Sequence, residues 1–507
     1  MKLNQNIFDD IFQNNMVLPI NKDFKVGGKI SPNECIEIVI PNKKYKIYAD
    51  KDGCWSLSIS YTQQKENFWI SAKTKKSKQT IQNIKFGLVF LLSGQSNIEY
   101  RLKDEKNYQE ALNELGNKCY SDIYYYNVPQ IEYIDPDTQA ILPKNIQQET
   151  WKQLTESTAK DISAVGYYLV TRLRKLGIKL PIGVVDCFKG GTSASAWISL
   201  DKLSSDKELY ENFVVPYLNE IKGKKQADFE EQTKKYEQSV KEHQKKLNNF
   251  LSANPSVSLS EAKNIVGHTP WPPPMRPDLY TRPGGLYDTM IKQVSNLTVN
   301  SLIWYQGEND TDRAKYYHKL LLLLLHSWRD ILQDNSLNIK LIQLPGYEDY
   351  PENSGALIRQ VQFQVSCEVP NVDLVSFVDA GEKHNIHPIN KKVVGYRLGN
   401  CLSGFSYAET PKLYKVEISQ GQITCSISHC WRLQKISGKD IVIQLILKNG
   451  KIIDYLVTAD DLEGNIFKIN YPNIEEIASC SYGYTNYPNL ALENELHYPV
   501  SPFIFSL

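Results

Sequence analysis

"FGLVFLLSGQSNIEY", residues 86–100, decides how this chain is read. The apolar run from Phe86 to Leu92 is far too short to cross a membrane, which takes about 20 residues. A continuous run of that length, ended by small and polar residues, reads as a strand buried on both faces, the kind found in parallel sheets covered by helices. It ends in Ser93, Gly94, Gln95, Ser96 and Asn97, which places a serine at the mouth of a turn. Ser96 is then either a reactive hydroxyl or a strand-end residue capping the next helix.

The same pattern recurs downstream. "IGVVDCF" (182–188), "SLIWYQG" (301–307), "IKLIQLPG" (339–346) and "DLVSFVDA" (373–380) are further continuous apolar runs. Between them lie helix-length segments such as "ISAVGYYLVTRLRKLG" (162–177) and "AKYYHKLLLLLLHSWRDIL" (314–332), whose leucine run Leu320–Leu325 reads as a buried helix face. Strands alternating with helices predict an α/β domain with a five-stranded parallel sheet and helices on both faces.

Outward from this core the punctuation changes. Residues 1–84 hold short alternating runs, among them "FKVGGKI", "IEIVI" and "WSLSISY", set off by Pro, Asn, Gly and Lys, and they predict a small β domain. Residues 406–507 return to that style with "LYKVEIS", "GQITCSI" and "NIFKINY" and predict a second, leaving 85–405 as the central domain. Inside the central domain, residues 221–262 are charged on nearly all sides and read as a solvated helical insertion; "HTPWPPPMRPDLYTRPGG" (268–285) brings the chain back in extended, proline-stiffened form.

Bulk properties exclude several classes. With 58 Lys plus Arg against 57 Asp plus Glu, the chain has no overall field to gather nucleic acid or an anionic membrane. The opening residues show no apolar signal region, so the expectation is a cytoplasmic protein. Nine cysteines without a C-x-x-C pair fit reduced thiols. Cys425, His429 and Cys430 lack a fourth ligand at metal spacing, so no metal site is expected.

In an open α/β sheet, ligands bind beyond the carboxyl ends of the strands. The residues arriving there are Ser96 with Gln95 and Asn97, then Gly190 and Gly191 in "KGGTSASAW", then Gln306, Glu308 and Asn309 in "WYQGEND", then His384 and His387 in "DAGEKHNIHP". A serine needs a base to become a nucleophile, and imidazole titrates in the useful range. A tetrahedral oxyanion needs fixed donors, which glycine N–H groups and side-chain amides supply. This is an acyl-transfer inventory, without the G-x-S-x-G elbow of α/β-hydrolases.

"SGQSN", "KGGTSASAW", "WYQGEND" and "HNIHP", in this order, resemble the blocks of the sialate O-acetylesterase family, a carbohydrate-esterase branch of the SGNH hydrolases. "IFDDIFQNNMVLP" (7–19), "PGGLYDTMI" (283–291) and "ENELHYPVSPF" (493–503) are similar to the flanking segments of that family, so the resemblance runs over the whole chain. It implies a flavodoxin-like SGNH fold and a cofactor-free serine esterase acting on O-acetylated sugars, with Ser96 as nucleophile and His387 as base. It further implies an oxyanion hole from the N–H groups of Ser96 and of Gly191 or Gly190, joined by the amide of Gln306 or, as the competing choice, Asn309. Gln95, Asn97 and Trp197 are the expected substrate contacts, Trp197 as a wall for a sugar face.

One position departs from the family pattern. Where many SGNH hydrolases carry an aspartate three residues before the histidine, this chain has His384. The acid that orients His387 is therefore open between Glu308, Asp379, Glu382 and none. The substrate alternatives are sialic acid esters or acetylated xylan and other glycans; the alternative of another class is a carbohydrate-binding protein that has lost turnover. Oligomeric state is left open.

Overall fold

The structure is a computed structural model, which describes residues 6–60, 68–116, 120–404, 408–419 and 421–507. The chain forms two compact units, one of residues 1–207, 278–304 and 323–340, the other of residues 208–277, 305–322 and 341–507. The expected boundary at 405/406 lies outside the described residues.

In the first unit the deciding stretch belongs to a long strand, Lys78–Gly94. Its first part pairs antiparallel with Phe68–Lys73, and its last part pairs parallel with Ile182–Phe188 from Leu88 to Gly94. The strand thus runs unbroken through residues 84 and 85, so the N-terminal β region and the central sheet share one ladder. Ile182–Phe188 pairs parallel on its other side with Ile123–Asn127, and Lys152–Gln153 closes that edge antiparallel. The helix Ala164–Lys175 starts where Ser163 accepts the Gly166 N–H, the N-cap arrangement that a serine before an apolar-periodic stretch supplies.

The sheet is mixed, which corrects the five-stranded parallel expectation. All five apolar runs lie on strands, but the order continues through Ile123–Asn127 and Lys152–Gln153 at one side and is joined by the N-terminal strands. Ile123–Asn127, "IYYYN", escapes an aliphatic pattern search because three tyrosines occupy it, yet every residue in it is buried; aromatic side chains favour a pleated, packed surface as aliphatic ones do.

In the second unit, Val372–Ser376 precedes the loop that carries the histidines. The C-terminal strands form two four-stranded sheets and a two-stranded ribbon around a core that includes Ile423, Ile443, Leu445, Phe467 and Phe503. The charged insertion is the helix Gln226–Ala253, which buries only Phe229 and Leu247, packed on a short helix, Leu259–Val266. Among the described residues no helix is long and apolar enough to cross a membrane.

Candidate active site

The candidate residues divide between the units: Ser96, Gly190 and Gly191 in the first, Gln306, Glu308, Asn309 and His387 in the second.

In the first unit the long strand ends at Gly94 and the chain turns into a short helix, Ser96–Glu99. Gln95 opens it, its carbonyl accepting the N–H groups of Ile98 and Glu99. Ser96 is partly exposed, whereas Gln95 and Asn97 are buried. The neighbouring strand end is tied to this turn by the Lys189 N–H on the Gly94 carbonyl at 3.1 Å. That places Gly190 against the nucleophile candidate: a Cβ built on Gly190 would stand 3.4 Å from the Ser96 Cβ and 3.0 Å from the Glu99 carboxylate. The two expected oxyanion glycines then part company. The Gly190 N–H donates to Glu99 at 2.5 Å, and Gln130 holds the other carboxylate oxygen at 2.7 Å. Gly191 turns in the left-handed region at φ +69°, a conformation costly for a residue with a side chain, and its N–H has no protein partner among the described residues.

Beneath the turn lies a buried polar group that the sequence reading passed over. Ser163 donates its hydroxyl to the Ile98 carbonyl and its N–H to Asp186, and Arg101 stands 3.6 Å from the same carboxylate. Burial raises the Asp186 pKa to about 6, against the opposing pull of Arg101. Trp197 is fully enclosed, its ring against Trp304 at 5.9 Å and its N–H on Thr192. A ring so packed offers no face to a sugar, and the expected wall is core.

In the second unit, Gly307 turns the chain at φ +149°, where a Cβ would come within 2.8 Å of Ile358. Gln306 before it is wholly buried. Its amide donates to Asp310 at 2.7 Å, and its side-chain oxygen accepts from Tyr317. Asn309 after it is only partly buried, and its side-chain oxygen accepts the indole N–H of Trp271 at 3.0 Å. Indole nitrogen is a donor only, so this bond fixes which end of the Asn309 amide is oxygen and aims its NH₂ the other way. Of the two amides, Asn309 is the accessible one. Glu308 is buried, and its charge raises the pKa of Tyr305 and Tyr350 as a secondary cause after their burial.

His387 sits in a loop stitched by its neighbours: Asn385 donates to the His387 carbonyl and accepts its N–H. Burial, followed by the positive charges of Lys391 and Lys263, lowers the imidazole pKa to about 4. Lys391 is itself buried, its ammonium 5.7 Å from the Phe377 ring and 6.0 Å from that of Tyr305. Two of the acids open to orient His387 have other partners. Asp379 takes both guanidinium nitrogens of Arg397, at 2.6 and 2.8 Å. Glu382 accepts from the Asn385 amide and the Ile389 N–H. His384 faces Asp349 at 3.0 Å.

The family model for sialic acid-specific acetylesterases among the carbohydrate esterases matches residues 275–402, a span that holds the Gln306–Asp310 block and the histidine loop. Sialate O-acetylesterase of the mouse, Mus musculus, is 24% identical over 355 residues, 65% of this chain and 58% of that protein. By these two matches the chain is similar to the sialate O-acetylesterase family. The rat enzyme, from Rattus norvegicus, is 22% identical over 359 residues, again 65% of this chain and 58% of the relative, so the chain spans less than two thirds of the length of the curated relatives it matches. A crystal structure of a carbohydrate acetylesterase from Xanthomonas citri shares the fold, with a TM-score of 0.72 at 20% identity over 98% of this chain and 99% of that one.

Proposed function

We propose that this protein is a carbohydrate O-acetylesterase working through a serine acyl-enzyme, with O-acetylated sialic acid as the favoured substrate. The observation that carries the reading is the Ser96 turn: a partly exposed serine against a glycine pair in which one N–H is held by Glu99 and the next has no protein partner among the described residues.

In this reading Ser96 Oγ attacks the acetyl carbon while His387, neutral because burial and two lysines disfavour its cation, accepts the hydroxyl proton. The carbonyl oxygen becomes an oxyanion held by the N–H groups of Ser96 and Gly191 and by the Asn309 amide. The bond from carbon to the sugar oxygen breaks as His387 returns the proton to that oxygen. Water, deprotonated by the same imidazole, then attacks the acetyl-serine, and its collapse releases acetate and restores Ser96. Glu308 is proposed as the acid that orients His387, and residues 85–405 as the segment carrying the catalytic groups. Similarity to the family model for sialic acid-specific acetylesterases and to relatives named sialate O-acetylesterases supports the substrate choice.

The test is acetate release from 9-O-acetyl sialic acid and from acetylated xylo-oligosaccharides by wild type, Ser96→Ala and His387→Ala. Release by wild type and its loss in both variants is expected, with the sialoside turned over faster. A wild type that releases acetate from neither sugar sinks the reading, and preference for xylo-oligosaccharides transfers it to other acetylated glycans.

A further inference from the structure

The proline-stiffened return from the charged insertion is a built element of the second unit. On the helix Gln226–Ala253, Tyr236 and His243 are two turns apart and so share a face. Each holds a backbone carbonyl of the return: Tyr236 donates to Pro270 at 3.0 Å, and the His243 ring nitrogen meets Gly267 at 2.8 Å. The next residue, His268, is fastened by the Asp349 carboxylate at 3.4 Å and by an edge-on contact with Tyr347. Prolines at 270 and 272–274 remove backbone freedom on both sides of Trp271.

What this scaffold presents is an indole. Trp271 is 49% exposed, although tryptophan ordinarily buries most of its surface. Its N–H is satisfied edge-on by Asn309, and among the described residues no aromatic ring or cation packs on the indole. The partner is a residue of the "QGEND" block, so the aromatic face stands beside the amide proposed for the oxyanion.

We propose that Trp271 is a sugar-binding platform, stacking on the apolar C–H face of a pyranose ring whose acetyl group is the one hydrolysed. The inference rests on the proposed esterase activity and deepens it. An indole has an electron-rich face suited to polarised C–H bonds, and one immobilised before binding loses little conformational freedom on stacking. The Trp271–Asn309 bond gives the residue a second effect, as the orienter of the Asn309 amide. The role expected of Trp197 thus passes to the tryptophan of the insertion's return arm.

The experiment compares wild type, Trp271→Phe and Trp271→Ala on p-nitrophenyl acetate and on 9-O-acetyl sialic acid, reading the ratio of kcat/KM on sugar to that on the small ester. Trp271→Ala should lower the ratio about tenfold or more through KM for the sugar. Trp271→Phe should keep most of the ratio, because the platform survives, while both substrates slow together as Asn309 loses its orienting N–H. A ratio unchanged in Trp271→Ala overturns the platform. Were wild type to release no acetate from the sugar, the esterase assignment would fail on its own account. Calorimetric titration of the same sugar into Ser96→Ala and into Ser96→Ala with Trp271→Ala would still decide the platform: equal affinity, or no binding by either, overturns it.

Discussion

The carboxylate of Glu99 accepts the backbone N–H of Gly190 at 2.5 Å. The residue one helical turn beyond Ser96 therefore holds the glycine that packs on Ser96, and the proposed nucleophile and the glycine turn are joined through one side chain. Glu99 is a positioning residue in this account. Glu99→Ala should lower kcat on p-nitrophenyl acetate about 10- to 100-fold, less than the 10²–10³ seen on deleting an oxyanion donor itself, with KM little changed. Glu99→Gln keeps an acceptor oxygen and should recover most of the rate; a glutamine variant no better than alanine would show that the acceptor is not what matters.

Acid tolerance follows from His387. Its pKa falls from an ordinary value of 6.5 to about 4, first by burial and then by Lys391 and Lys263, so the base form persists in mildly acidic solution. The acid limb of kcat/KM against pH, which reports the free enzyme, should have its midpoint near pH 4, and Lys263→Ala should move it upward. For stability the sign is the reverse of a paired histidine. The unfolded chain takes up this proton first, so the His387 contribution is lost as pH falls from 6.5 towards 4.

The acids near the histidine loop separate by assay. Asp379→Asn breaks the two-pronged pair with Arg397 and should lower the melting temperature while leaving kcat within a fewfold of wild type. Glu308→Gln should do the opposite, reducing kcat by about 10²–10⁴, the upper figure being the effect of spoiling the triad aspartate of a serine protease. If Asp379→Asn abolishes turnover in a fully folded protein, the assignment is inverted.

Trp197 should behave as core. Trp197→Ala removes a fully buried ring from Trp304 and Thr192 and should cost about 3–5 kcal/mol of stability. Trp197→Phe, read by KM for the acetylated sugar, should leave binding unchanged, in contrast to Trp271→Ala.

What the sequence by itself determined is what lies within a strand, a turn or a cap. Continuous apolar runs marked the strands at Phe86–Leu92 and Ile182–Phe188, because burial on both faces leaves no room for alternation. The apolar-periodic segment 162–177 marked a helix, found at Ala164–Lys175, and the charged residues of 221–262 marked a helical insertion with little to bury, found as Gln226–Ala253. Only the tertiary structure decided which polar atoms remain for chemistry. Gly190 and Gly191 are adjacent and chemically identical, yet Glu99, 91 residues from Gly190, takes the N–H of one. Gln306 and Asn309 carry the same amide, yet Asp310 and Tyr317 enclose the first while Trp271, 38 residues away, orients the second. Likewise Trp197 and Trp271 differ by nothing that composition registers; one meets Trp304 and the other stands half-exposed. A hydrogen bond or a packed ring is a property of two residues at once, and where the second comes from a distant part of the chain no local pattern names it.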